Sequence, residues 1–105
     1  MKAPADIFTR IKRELQDLYG ERLKGVILYG SEARGEAEDD SDIDLLVLLE
    51  PPISLWWDIK KISHAIYPIQ LEVLRPIHAA PANVHDYDGG VFALYRNVRA
   101  EGIPI

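Results

Sequence analysis

Apolar residues recur at intervals of three and four near the start of the chain: Phe8, Ile11, Leu15, Leu18 and Tyr19. That spacing predicts an amphipathic helix over about residues 5–19, stopped by Gly20. Val26-Ile27-Leu28-Tyr29 is a short apolar run between two glycines, the pattern of a buried strand. Residues 30–41 are small, polar and acidic and predict a loop with room for one helical turn. From Ile43 to Leu49 only Asp44 is polar, which predicts a strand buried on both faces and ended by Pro51-Pro52. A second helix over about 54–66 follows, with Ser54 as N-cap, Leu55, Ile59, Ile62 and Ile66 as its core stripe, and Pro68 as its stop. Ile69 to Leu74 alternates in part and predicts a third strand, with Leu71 and Val73 on one face and Gln70 and Glu72 on the other. Residues 76–88 hold two prolines and two histidines and read as an irregular loop. A last helix over about 90–101 turns Val91, Leu94, Tyr95 and Val98 inward and closes at Gly102. The order helix, strand, strand, helix, strand, helix predicts an α/β (α+β) fold on a small mixed sheet.

With 105 residues, the chain has room for one domain spanning 1–105. So short a chain has little core, and partner surfaces gain weight accordingly. The absence of cysteine excludes a disulfide framework and a thiolate zinc site. The net charge of -5 argues against direct binding of nucleic acid, which needs a basic face. There is no apolar run long enough for a membrane span, and Met1-Lys2-Ala3-Pro4 lacks the apolar core of a signal peptide. The cytoplasm is the expected compartment. The charge is uneven: residues 1–50 carry 12 acids against 7 bases, residues 51–105 carry 5 of each. Six acids crowd into residues 36–44: Glu36, Glu38, Asp39, Asp40, Asp42 and Asp44.

Asp42 and Asp44 are two residues apart at the start of a strand, so their side chains share a face. Two carboxylates so placed repel, and partial burial sharpens the repulsion. A hard divalent cation such as Mg²⁺ or Mn²⁺ relieves it. The plainer reading is a solvated acidic loop running into a strand. Glu72 adds a third carboxylate if its strand lies beside the Asp42–Asp44 strand, and three such groups can hold two cations about 3.5–4 Å apart for phosphoryl transfer. Its other placement is at a solvent-facing sheet edge, with Gln70. Gly30-Ser31 directly follows a buried strand, where a small residue lets backbone N–H groups approach a phosphate, and Arg34 follows one turn later.

Leu28-Tyr29-Gly30-Ser31-Glu32-Ala33-Arg34-Gly35 and Ser41-Asp42-Ile43-Asp44-Leu45-Leu46-Val47 are separated so that ten residues lie between Ser31 and Asp42. This pattern strongly resembles the nucleotidyltransferase superfamily that includes DNA polymerase beta, and most closely its minimal nucleotidyltransferases. Glu101-Gly102-Ile103 resembles the end of that family's last helix. The resemblance implies that Gly30 and Ser31 hold a nucleoside triphosphate, that Asp42 and Asp44 bind two divalent ions, and that Arg34 contacts phosphate or braces the loop. It implies Glu72 as third ligand near the attacking hydroxyl, with a departure, since Asp is frequent there. It further implies ATP as donor of AMP to a hydroxyl, and a HEPN-domain partner encoded nearby for which the chain is the antitoxin, some relatives adding AMP to a toxin tyrosine. Two other readings stand beside it: a non-catalytic module that occludes its partner, and one subunit of an aminoglycoside-type nucleotidyltransferase. A homo- or hetero-oligomer fits each.

An EF-hand loop beginning at Asp40 fails, because its sixth and twelfth positions are Leu45 and Pro51. No Walker-type Gly-Lys-Ser/Thr occurs. A glycosyltransferase Asp-x-Asp belongs to domains about twice this length by the usual domain scale. Trp56 and Trp57 are adjacent on a helix, about 100° apart, which predicts one in the core and one on a partner surface. His64, His78 and His85 lack zinc-site spacing and read as surface or loop residues. Lys60-Lys61 reads as a solvated face, and Arg75 as a partner in an ordinary salt bridge.

Overall fold

The computed structural model describes residues 5–105. Met1-Lys2-Ala3-Pro4, on which the signal-peptide expectation rests, lies outside them. The elements are α1 (Ala5–Tyr19), β1 (Leu23–Tyr29), α2 (Ser31–Arg34), β2 (Ile43–Leu49), α3 (Leu55–Gln70), β3 (Ile77–Asn83), α4 (Val84–Gly89), α5 (Ala93–Glu101) and β4 (Ile103–Pro104). The four strands form one mixed sheet in the order β3-β2-β1-β4. β1 is antiparallel to β2 and to β4, and β2 is parallel to β3. The small mixed sheet expected from the sequence is therefore present. No helix among the described residues is long and apolar enough to cross a membrane.

The sheet is covered on both faces. Ile43, Leu45, Val47 and Leu49 of β2 pack with Ile11 and Leu15 of α1 and Ile62 and Ile66 of α3. Leu46 and Leu48 pack on the other face with Tyr87 of α4 and Val98 of α5. This accounts for the near-continuous apolar run of β2, since a strand covered twice has no wholly polar side. Its one polar member, Asp44, shares the α4–α5 face with Leu46 and Leu48 by the alternation of a strand.

Five expectations are corrected. The third strand is not 69–74 but Ile77–Asn83. α3 continues through Pro68 to Gln70; the proline sits in the last turn, so its missing donor and the clash of its ring with the carbonyl four residues back fall at the end of the helix rather than in its middle. The proline-bearing stretch expected as a loop becomes β3, an edge strand, where Pro81 is tolerated. The core stripe of α3 is Asp58, Ile62, Ile66 and Ile69, with Leu55 and Ile59 exposed. The rest of the expected loop forms α4, the last helix is α5 and begins only at Ala93, and of its four expected core residues Val91 and Leu94 are exposed.

Trp56 and Trp57 are both exposed, at 69% and 63%, so neither is core. Lys60 lies over both rings. The position that points inward here is Asp58. Its carboxylate accepts from the Tyr19 hydroxyl at 2.7 Å and from the Ser54 backbone N–H at 2.9 Å. Ser54 is thus the N-cap residue, but its side chain makes no capping bond; instead Asp58 reaches back to accept from the Ser54 N–H.

Candidate active site

The antiparallel register sets Tyr29 opposite Asp44, and the parallel register sets His78 beside Asp44 on the other flank. Tyr29, Asp44 and His78 therefore form a row across three strands on the α4–α5 face. Asp42, two residues before Asp44, extends the row beyond the strand end. Its Oδ2 is 3.2 Å from His78 Nε2.

The turn after β1 closes the site. Gly30 has φ +75° and ψ -155°, a conformation essentially limited to glycine. A β-carbon added there would stand 2.6 Å from Asp44 Oδ2. Glycine is thus required twice, for the backbone angle and for the closeness of the carboxylate. Ser31 opens α2, a single turn whose first amides have no carbonyl partner within the helix. Gly35 ends it with φ +73°.

Burial raises the Asp44 carboxyl above the ordinary aspartate range, and the Asp42 charge raises it further, with His78 acting in the opposite sense. Burial likewise raises the Tyr29 hydroxyl, helped by the Asp44 charge. The site is short of positive charge, and an added cation beside Asp44 relieves both effects. The donor set of Asp42 and Asp44 fits a hard divalent ion. Among the described residues, no group of three acidic or histidine side chains is already drawn together around a cation position.

Beside Gly30 lies a cavity of about 290 Å³ lined by Tyr29, Arg34, Leu94, Asn97, Val98 and Glu101. Arg34, one turn after Gly30, stands at its rim between Glu36 at 3.4 Å and Glu101 at 3.5 Å. In the sequence Glu101 marks only the end of a helix, and nothing there places it on this cavity.

Glu72 is not on a strand and not in this row. It lies in the turn after α3, where Arg10 of α1 holds it with two hydrogen bonds of 3.0 and 2.6 Å. The Arg10 hydrogen bonds and charge lower its carboxyl below the usual glutamate range. The difference follows from the position of the third strand, because the place next to Asp44 is filled from β3, by His78.

Arg75 is in a salt bridge, as expected, but a buried one. Its Nη1 is 2.5 Å from Glu32 Oε1, and its Nε donates to the Ser41 carbonyl at 2.8 Å. Arg75 therefore joins α2 to the residue before Asp42. The Ile43 N–H donates to the Pro76 carbonyl at 2.8 Å and continues the brace. No pattern in the sequence marks Glu32 as buried.

The nucleotidyltransferase domain model matches residues 9–87. Protein adenylyltransferase MntA of Thermococcus cleftensis is 34% identical over 70 residues, covering 65% of this chain and 69% of that one. A provisionally named protein adenylyltransferase of Methanocaldococcus jannaschii, MJ0141, is 36% identical over 45 residues, 43% of this chain and 46% of that one. Among solved structures, a provisionally named nucleotidyltransferase of Sulfolobus solfataricus shares the fold with TM-score 0.66 at 18% identity, covering 94% of this chain and 76% of that one. A toxin–antitoxin structure solved with AMP-PNP shares it with TM-score 0.58 at 21% identity, covering 91% and 69%. The family match runs from α1 into α4 and takes in the Gly30 turn, the acid pair and β3, and the chain belongs to the nucleotidyltransferase domain family.

Proposed function

We propose that this nucleotidyltransferase transfers AMP from ATP to a hydroxyl of a partner protein, a tyrosine of a HEPN-domain toxin encoded nearby, and acts as its antitoxin. The observation that carries the reading is the closeness of Gly30 to Asp44, which brings a backbone turn suited to phosphate against an acid pair suited to a divalent ion. The similarity to an adenylyltransferase named MntA, and the fold shared with a toxin–antitoxin structure, support the choice of partner class.

In this reading Gly30 and Ser31 receive the triphosphate through backbone N–H groups. Asp42 and Asp44 hold two magnesium or manganese ions, which supply charge neutralisation at the reacting phosphate when bound. Arg34 leaves its two surface carboxylates for phosphate oxygens, a small loss because exposed pairs contribute little. The acceptor oxygen bonds to the α-phosphorus, the bond to the bridging oxygen breaks, and pyrophosphate leaves. The hydroxyl proton departs to water on the exposed Asp42 side. Glu72, held by Arg10, takes no part.

The test is transfer of label from α-labelled ATP to the purified partner. Wild type is expected to label it, and Asp42→Asn with Asp44→Asn to abolish labelling. Neutralisation of the partner that survives the double substitution would favour the occluding module, for which exposed Trp56 and Trp57 are the supporting observation.

A further inference from the structure

We propose that the outer face of α3, centred on Trp57, docks an acidic amphipathic helix of the partner protein. This rests on the proposed partner being a protein, and not on the transfer chemistry.

Three observations carry it. First, α3 has apolar residues beyond those its core needs. Asp58, Ile62, Ile66 and Ile69 are its buried residues, while Leu55, Trp56, Trp57, Ile59 and Tyr67 are exposed on the rest of its surface. Trp56 and Trp57 are the only tryptophans of the chain, and tryptophan is enriched among the residues that carry interface energy. Second, Trp57 lines an open groove of about 380 Å³ between α1 and α3, with Leu18, Lys60, Lys61, His64 and Ala65. A groove of this kind seats the anchor side chains of an amphipathic helix. Third, the charge of this face is opposite to that of the chain. The chain carries -5, but the one acid of α3, Asp58, is buried and engaged by Tyr19 and Ser54. Lys60, Lys61 and His64 are exposed beside Trp57, and the Lys60 ammonium lies over both indole rings, where a carboxylate crossing the face would meet it.

The charge decides among occupants. A second copy seated face to face would bring Lys60, Lys61 and His64 against their own counterparts. An anionic membrane would attract α3 but repel a chain of -5 as a whole, and it has no use for a groove. An acidic helix meets the bases and fills the groove. The face is also separate from the acid pair, because α3 follows the C-terminal end of β2 and Asp44 lies near its N-terminal end.

The experiment is titration of the whole protein with synthetic amphipathic helices, leucine at helical spacing with glutamate elsewhere, and the lysine-for-glutamate counterpart. Tryptophan fluorescence reads this face alone, since both tryptophans are on it, and calorimetry gives affinities. The glutamate peptide is expected to bind and shift the emission to the blue, and the lysine peptide to do neither. Trp57→Ala should weaken binding at least about tenfold. Lys60→Glu with His64→Glu should weaken it to a similar extent, about tenfold, and admit the lysine peptide. Lys61 is left in place because it pairs with Asp58. The purified partner should respond to these variants in the same way, and should bind Asp42→Asn with Asp44→Asn as tightly as wild type. Equal binding of the two peptides, or partner binding that is absent or indifferent to the α3 variants, overturns the docking face; labelling of that partner would still leave the transferase reading standing. Partner binding that depends on α3, without labelling, keeps the docking face and overturns transfer. A blue shift with vesicles of phosphatidylcholine and phosphatidylserine but not with the glutamate peptide, or self-association lost in Trp57→Ala, gives the face to a membrane or a second copy and overturns the proposal.

Discussion

Arg75 and Glu32 form a buried ion pair of 2.5 Å between the segment leading into β3 and the single turn of α2. Arg75 also holds the carbonyl of Ser41, so one guanidinium fixes both arms of the site. Breaking a buried pair from one side leaves a charge in a poor environment and costs about 3–5 kcal/mol. Arg75→Met and Glu32→Leu should each lower stability by about that much in chemical denaturation. The double variant should recover much of the loss. It should remain impaired in nucleotide transfer, because the tether to Ser41 is gone. Recovery of full transfer in the double variant would limit the pair to a stability role.

Gly30 and Gly35 both have positive φ, at +75° and +73°, yet only Gly30 faces a close neighbour. Gly35→Ala should cost about 1–2 kcal/mol, the usual left-handed penalty, and leave transfer largely intact. Gly30→Ala must displace Asp44 or the turn and should abolish transfer even at temperatures where the protein is folded. Circular dichroism alongside the transfer assay separates the two effects.

The acid pair is a site of stored repulsion. In cation-free buffer, Asp44→Asn should be at least as stable as wild type, since it removes a carboxylate that burial and Asp42 disfavour. The same substitution should abolish transfer. Thermal melts with and without Mn²⁺ check it: the ion should raise the midpoint of wild type and not that of the double Asn variant.

Asp58 sets an acid limit. Burial alone would raise its carboxyl, but hydrogen bonds from Tyr19 and the Ser54 amide, with Lys61 nearby, outweigh it and bring it below its ordinary 3.8. A group depressed in the folded state adds stability above its unfolded value and loses it as pH falls through the folded value. The Asp58 contribution should therefore be intact at neutral pH and decline below about pH 4. Tyr19→Phe should cost about 1.5–3 kcal/mol at pH 7, the worth of a hydrogen bond to a charged group, and less near pH 2. Denaturation midpoints across pH for both proteins test the sign.

Trp56 and Trp57 should behave as surface residues. Truncation of either to alanine should change stability by no more than about 0.5 kcal/mol. A larger loss in the isolated chain would contradict their exposure.

The sequence showed most where periodicity and chemistry coincided. α1 and β2 were legible at their observed limits, because a helical stripe over fifteen residues and an apolar run over seven fit few alternative structures. The fixed spacing of Gly30, Ser31, Asp42 and Asp44 singled them out as candidates, and the structure brings Gly30 against Asp44. β3 was hidden because Ala79, Ala80, Pro81 and Ala82 carry little strand propensity, and their strand is set by pairing with β2. With β3 hidden, Glu72 was expected beside Asp44, where the structure has His78. Burial of Glu32 and Asp58 was hidden for a different reason: an acid near a helix start is commonly a surface residue, and only tertiary partners distinguish it.

The two margins of the sheet are β3 and β4, and each contains a proline, Pro81 and Pro104. Each proline subtracts a backbone donor and stiffens its border, so neither border is a good template for another chain's strand. A protein acceptor of the kind proposed is then expected to meet side chains on the helical faces and loop rims, where its identity can be read, and not backbone pairing, which accepts almost any extended peptide.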